Sequence, residues 1–65
     1  MEINKTKINK ELDRLGWSYI DLAGAMNKKR QWVYHKLKYD KKGTTFKTVE
    51  TFAKALNLDP KDLIT

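Results

Sequence analysis

Two short helical patterns lie next to each other between residues 18 and 38, separated by only two or three polar residues. The first is rich in small apolar residues, and Ile20, Ala23 and Met26 are spaced to face the inside of the protein. The second is firmly apolar only at Val33 and Leu37 and is polar, aromatic or basic elsewhere. Because so short a connection does not let the helices run on, the chain must turn steeply between them.

The residues around the first helix of this pair favour defined ends. Ser18 is a good N-cap, and Asp21 three residues later predicts a capping box with Asp in place of Glu. Trp17 and Leu22 have the spacing of a hydrophobic staple. Asn27 stands at the break, and asparagine enters the left-handed region more readily than most residues. These signals predict a helix, a tight turn and a second helix.

The rest of the chain predicts three further helices and no strand. The apolar stripe of the first is Ile8, Leu12 and Leu15, and that of the fourth is Phe46, Val49, Phe52, Ala53 and Leu56. Asp59-Pro60 is typical of the start of a short last helix. We therefore expect one compact five-helix, all-α domain over residues 1–65, with helices at about 4–15, 19–26, 29–38, 46–56 and 60–64.

The positive charge is concentrated in one part of the chain. Residues 28–47 contain eight basic residues and one acidic residue, a net +7, whereas the other 45 residues carry six basic and seven acidic groups. A positive field confined to one segment attracts a polyanion, of which nucleic acid is the commonest. A charged surface kept for solubility is the alternative. The lysines expected to contact phosphates are Lys28, Lys29, Lys38, Lys41, Lys42 and Lys47.

The third helix presents side chains suited to DNA. If Val33 and Leu37 point inward, Gln31, His35 and Lys38 lie roughly opposite and Tyr34 lies at the flank. A helix fits the major groove, where arginine matches guanine and glutamine matches adenine. Two helices joined by a tight turn, the second polar on its outer side, predict a helix-turn-helix.

The order of these motifs resembles the lambda-repressor/Cro-like helix-turn-helix family of the xenobiotic-response-element type. The resemblance rests on Leu22-Ala23, the turn after Met26, Val33, and the later run of Phe46, Val49, residues 52–56 and Asp62-Leu63. It covers almost the whole chain from residue 8. The family implies an all-α domain that binds duplex DNA, mostly in transcriptional repressors and in phage or plasmid regulators.

The resemblance also implies roles for individual residues. The base-contacting positions of the family fall on Arg30, Gln31, Tyr34 and His35. Its DNA contact at the start of the second helix falls on Ser18 or Tyr19. This chain departs from the family at the turn, where Asn27 replaces glycine, Lys28 replaces an apolar residue and Lys29 replaces the serine that commonly caps the third helix.

Other functions have less support. A protein-interaction module of the same fold would use a basic aromatic patch of Trp32, Tyr34 and Tyr39 on an acidic partner. RNA binding has less support because the chain lacks the β-sheet on which common RNA-binding modules stack bases. An enzyme is not expected, since no paired carboxylates, nucleophile–base pair or phosphate loop is evident. With no cysteine and one histidine, no metal or other cofactor is expected.

The expected partner is double-stranded DNA, bound by a monomer or by a weak dimer that forms on DNA. No small-molecule ligand is expected. No membrane contact is expected either, since the longest apolar runs are two or three residues. A cytoplasmic, nucleoid-associated regulator of prokaryotic or phage type fits these features, and so does an engineered DNA binder.

Overall fold

The computed structural model describes residues 2–39 and 43–64. Four α-helices and one 3₁₀ helix follow each other along the chain, and no strand is present in these ranges. The all-α class is thus confirmed. The fifth element is a 3₁₀ helix rather than an α-helix, since the Asp62 amide donates a 2.9 Å hydrogen bond to the Asp59 carbonyl, three residues earlier. The elements are α1 (Lys5–Leu15), α2 (Tyr19–Met26), α3 (Arg30–Lys38), α4 (Phe46–Leu56) and the 3₁₀ helix Pro60–Leu63.

Side-chain caps determine where most of the helices begin. The Asn4 side chain accepts a hydrogen bond from the Lys7 amide at 3.1 Å, so α1 starts after Asn4. Ser18 and Asp21 form the expected capping box at the start of α2. Thr45 caps α4 in the same manner. Each cap satisfies an amide that would otherwise lack an intrahelical partner.

Left-handed residues end three of the helices. Gly16 has φ 70°, and Asn27 and Asn57 each have φ 58°. In this conformation, the amide after the helix turns back onto carbonyls of the last turn, which ends α-helical hydrogen bonding. Asparagine adopts it at a lower cost than most residues with a side chain.

The core lies where all five elements meet. Helix α4 contributes most to it, as its strong apolar stripe predicts, and Phe52 at its centre is fully buried. Burial of these side chains is the main favourable contribution to folding in a chain without disulfides. The buried apolar residues are Ile3, Ile8, Leu12, Leu22, Ala23, Met26, Val33, Leu37, Val49, Phe52, Ala53, Leu56 and Leu63.

The two ends of the described chain are joined, which the sequence patterns do not indicate. Ile3 is 1% exposed and forms an isolated antiparallel bridge with Ile64. The Asn4 amide donates a 2.6 Å hydrogen bond to the Leu63 carbonyl. This contact places the start of α1 against the 3₁₀ helix and closes one side of the core.

Three apolar residues do not lie where their patterns place them. Leu15, the last residue of the predicted α1 stripe, is 37% exposed. Ile20 is 63% exposed, although its spacing with Ala23 and Met26 predicts an inward position. The inward direction of α2 is set by Leu22, Ala23 and Met26, and Ile20 lies roughly 110° around the helix from it at 100° per residue. Phe46, the first residue of α4, is 47% exposed instead of closing the core stripe.

Candidate nucleic-acid interface

A three-residue turn sets the angle between α2 and α3. The Asn27 amide donates to the Gly24 carbonyl at 3.2 Å, and the Lys28 amide donates to the Ala23 carbonyl at 2.9 Å. These bonds end α2 and redirect the chain. Lys29 then takes an extended conformation and occupies the N-cap position of α3 without a side-chain hydrogen bond. Because an N-cap residue lies just outside the helix, α3 begins at Arg30, one residue later than predicted.

Helix α3 is held by more than the two apolar residues evident from its pattern. Val33 and Leu37 are fully buried. The Trp32 ring also stacks on Phe52 of α4, with centroids 5.9 Å apart and planes at 23°. Trp32 is therefore a packing residue between α3 and the core, and the remaining sides of α3 are open to solvent.

Two lysines cover the outer side of this tryptophan. The ammonium groups of Lys28 and Lys36 lie 5.1 and 5.7 Å from the centroid of the Trp32 ring, which places both within cation–π range. This contact explains how Lys36 is accommodated close to the inward side of α3: its stem is half-buried while its charge sits over the ring.

The first turns of α2 and α3 meet at an open cleft. Arg30 and Gln31, the first two residues of α3, are exposed there, and Tyr34 follows one turn later at 44% exposure. Ser18 and Tyr19 face them from the start of α2. The residues lining the cleft are Ser18, Tyr19, Ile20, Arg30, Gln31 and Tyr34. Three of the four expected base-contacting residues and both expected contacts from α2 thus share one surface.

The fourth expected base-contacting residue, His35, lies beside this cleft rather than in its lining. It is exposed, and its ring contacts Tyr39 with centroids 5.7 Å apart. Ile20, in contrast, lines the cleft although sequence patterns place it in the core. Its angular offset from Leu22 and Met26 is the signal that identifies it as an outward residue.

A row of tyrosines runs along the same side of the molecule. The Tyr19 hydroxyl donates to the Asn9 side-chain oxygen at 3.2 Å, and the Tyr19 ring meets Tyr34 edge-on at a centroid distance of 6.5 Å. Tyr34 in turn meets Tyr39 edge-on at 6.3 Å. Partial burial raises the pKa of Tyr19 above its ordinary value, with a smaller contribution from Tyr34.

A lysine at the end of α3 is tied to this row. Lys38 Nζ donates a 2.8 Å hydrogen bond to the Tyr34 hydroxyl and also lies 5.1 Å from the centroid of that ring. The hydrogen bond, helped by the lysine charge, lowers the pKa of Tyr34 and raises the pKa of Lys38. The aromatic patch expected for a protein partner is therefore divided, because Tyr34 and Tyr39 belong to this row whereas Trp32 stacks on Phe52.

Four of the six lysines expected to contact phosphates lie within the described residues. Lys28 and Lys29 lie at the turn, Lys38 at the end of α3 and Lys47 in the first turn of α4, and all four are exposed. Lys41 and Lys42 lie outside the described residues. Ser18 already uses its hydroxyl oxygen as the cap of α2, so the same group has limited freedom for a phosphate.

No group of three or more His, Cys, Asp or Glu side chains that could hold a metal ion occurs in residues 2–39 and 43–64. Across those residues, no helix has both the length and the apolar character needed to cross a membrane.

The fold and this surface define a small helix-turn-helix domain that presents one polar helix to solvent. The chain belongs to the Cro/C1-type HTH DNA-binding domain family, whose model matches residues 7–65. The resemblance found in the sequence is thereby confirmed. No curated protein and no solved structure matches the chain. Membership makes this a double-stranded-DNA-binding domain of a family that is not enzymatic.

Proposed function

We propose that the domain binds duplex DNA sequence-specifically, with α3 in the major groove. The observation that carries the proposal is the cleft at the starts of α2 and α3, where Arg30, Gln31 and Tyr34 are exposed together. A helix presented by its first turn, with its own core side chains buried behind it, has the shape that enters a major groove.

The side chains of α3 supply distinct chemistry for base recognition. Arg30 has two donors suited to the O6 and N7 acceptors of guanine, and Gln31 has the donor and acceptor that match adenine. Tyr34, held by Lys38, is proposed to contact a base or phosphate from the flank. His35 is proposed to contact a base further along the groove, from its position beside Tyr39.

Phosphate contacts are proposed to position the domain on the duplex. Lys28 and Lys29 lie at the turn, Lys38 at the end of α3 and Lys47 in the first turn of α4, and all four are exposed and free to reach phosphates. Ser18 and Tyr19 add polar groups from α2, and Lys41 and Lys42 are proposed from sequence alone. Contacts of this kind contribute affinity for any sequence, and they weaken steeply as salt displaces them.

The proposed biological role is transcription regulation, with repression as its outcome. A domain that occupies a defined DNA site inside the cell blocks the access of other proteins to that site. We propose that it binds as a monomer or as a weak dimer formed only on DNA. The symmetry of the selected site tests this, because two copies related by a twofold axis require two half-sites about one helical turn apart.

Selection of bound duplexes from a random pool, followed by binding measurements on the preferred and a scrambled duplex, tests sequence-specific binding. Arg30→Ala and Gln31→Ala are each expected to weaken binding to the preferred duplex by roughly 1–3 kcal/mol and to leave the scrambled duplex nearly unaffected. Lys29→Ala is expected to weaken binding to both duplexes. It is also expected to lower the slope of log affinity against log salt concentration by about one.

A matched charge control lies far along the chain. Lys61 is in the 3₁₀ helix, 3.9 Å from Asp59, and Lys61→Ala is expected to change binding to neither duplex. If Arg30→Ala and Gln31→Ala weaken both duplexes by the same factor, the assignment of base contacts to α3 is wrong.

A further inference from the structure

The cleft contains one side chain that polar recognition does not explain. Ile20 is 63% exposed, compared with 37% for Leu15, although a branched aliphatic group is normally withdrawn from water. It occupies the second position of α2, whose first turn is fixed by the Ser18–Asp21 capping box. Branching at Cβ restricts χ1, so the side chain is a stiff apolar projection on a rigid base.

The neighbours of Ile20 are the groups proposed to contact DNA. It shares the lining of the cleft with Arg30, Gln31 and Tyr34, and it is the one aliphatic residue among the six that form that lining. A base pair contacted by the first turn of α3 therefore passes within the same cleft as Ile20. Whatever Ile20 touches there must be apolar, because an aliphatic group that covers a polar base edge leaves that edge without a hydrogen bond.

The major groove offers few apolar groups. Its base edges carry nitrogen and oxygen acceptors and amino donors, and the exception is the methyl group on C5 of thymine. From the position of Ile20 beside Arg30 and Gln31, we infer that Ile20 contacts the C5-methyl group of a thymine and so helps to determine the preferred DNA sequence. The inference rests on the proposed binding of α3 in the major groove and adds a contact from α2.

The test replaces thymine by deoxyuridine, one position at a time, in the preferred duplex. This change removes the methyl group and leaves the hydrogen-bonding edges intact. For the unmodified protein, one replacement is expected to weaken binding about fourfold, the effect of one buried methyl group. For Ile20→Ala the same replacement is expected to have no effect on affinity. The affinity of Ile20→Ala for the thymine duplex is expected to equal the affinity of the wild type for the uracil duplex.

A second arm separates the methyl group from the rest of thymine. Cytosine at the sensitive position is expected to weaken binding. The wild type is expected to bind the duplex with 5-methylcytosine at that position about fourfold more tightly than the duplex with cytosine, whereas Ile20→Ala is expected to bind the two equally. Ile20→Val is the matched conservative variant and is expected to retain the uracil penalty. Leu15 is an exposed aliphatic residue at the end of α1, and the variant Leu15→Ala is expected to retain the full uracil penalty.

Four outcomes overturn the inference. The first is a uracil penalty of the same size in the wild type and in Ile20→Ala at every position. The second is equal weakening of all duplexes by Ile20→Ala, which would indicate contact with the sugar–phosphate backbone. The third is a pool selection that yields no preferred duplex, which overturns the proposed function as well. A preferred duplex that is insensitive to uracil at every position leaves the proposed function standing and overturns this inference alone.

Discussion

Lys38 donates a 2.8 Å hydrogen bond from its ammonium group to the hydroxyl of Tyr34, one helical turn earlier on the exposed side of α3. This hydrogen bond connects Lys38, at the end of α3, to Tyr34, which lines the cleft. Since Tyr34 also touches Tyr19 of α2, the position of its ring depends on both helices of the helix-turn-helix.

The titration of Tyr34 checks this pair. Because the Lys38 hydrogen bond and charge favour the tyrosinate, Tyr34 is expected to lose its proton at a lower pH than an ordinary tyrosine, and Tyr19 at a higher pH. Lys38→Met is expected to move the Tyr34 titration back up, as followed by NMR of the ring carbons. A Tyr34 curve that is the same in Lys38→Met and in wild type would contradict the hydrogen bond.

Removal of the Trp32 ring is expected to lower the stability of the domain. Trp32→Ala loses the stack on Phe52, and we expect a decrease in the free energy of unfolding of about 2–3 kcal/mol for this half-buried ring. Urea unfolding followed by circular dichroism measures it. Tyr39→Ala is the control, because that ring is 67% exposed and its loss is expected to change stability by less than about 0.5 kcal/mol.

The turn between α2 and α3 depends on a left-handed residue. Asn27→Ala is expected to reduce the free energy of unfolding by about 1 kcal/mol, since alanine adopts φ near 58° less readily. Asn27→Gly is expected to be close to neutral. Asn57→Ala removes an equivalent residue at the end of α4 and provides the matched comparison. Both alanine variants should lose similar stability in thermal melts, but only Asn27→Ala should also weaken DNA binding beyond its effect on folding.

The ion pair on α1 makes stability depend on acid pH. Arg14 donates hydrogen bonds to the mostly buried Glu11 carboxylate at 3.0–3.3 Å, and this contact lowers the pKa of Glu11. A lowered pKa in the folded state stabilises the fold above the pKa of the unfolded chain, and that stabilisation is lost as the pH falls through the folded pKa.

Thermal melts of Glu11→Gln across pH test this linkage. The variant is expected to melt below the wild type at neutral pH, with the difference shrinking as the pH falls. Adding Arg14→Gln to Glu11→Gln is expected to cause little further loss. A difference between wild type and Glu11→Gln that stays constant from neutral to acid pH would be inconsistent with the ion pair.

Free in solution, the domain is expected to sediment as a 7.7 kDa monomer at micromolar concentration. Outside the cleft and the tyrosine row, the large apolar side chains exposed on the described surface are Leu15 and Phe46, which is little for a stable dimer interface. Sedimentation equilibrium with and without the selected duplex measures the assembly. A stable dimer without DNA would contradict this expectation.

The local features of the fold follow from the sequence alone. The stripes of α1 and α4, the capping box at Ser18 and Asp21, and the left-handed turn at Asn27 are set by residues within one or two helical turns of each other. Such short-range signals survive in any tertiary context, because they concern hydrogen bonds and backbone angles of neighbouring residues. The helix-turn-helix could be predicted for that reason.

The tertiary structure decided which further apolar side chains are buried in the core. Ile3 precedes α1 and belongs to no helical stripe, yet it is 1% exposed and forms a bridge with Ile64. Trp32 joins the core because Phe52 lies within stacking distance. Burial of this kind depends on residues far apart in the chain, and periodicity within one helix carries no information about them. The sequence determines the helices, their turn and the outward residues of α3, whereas packing between residues far apart in the chain determines how Ile3 and Trp32 close the core.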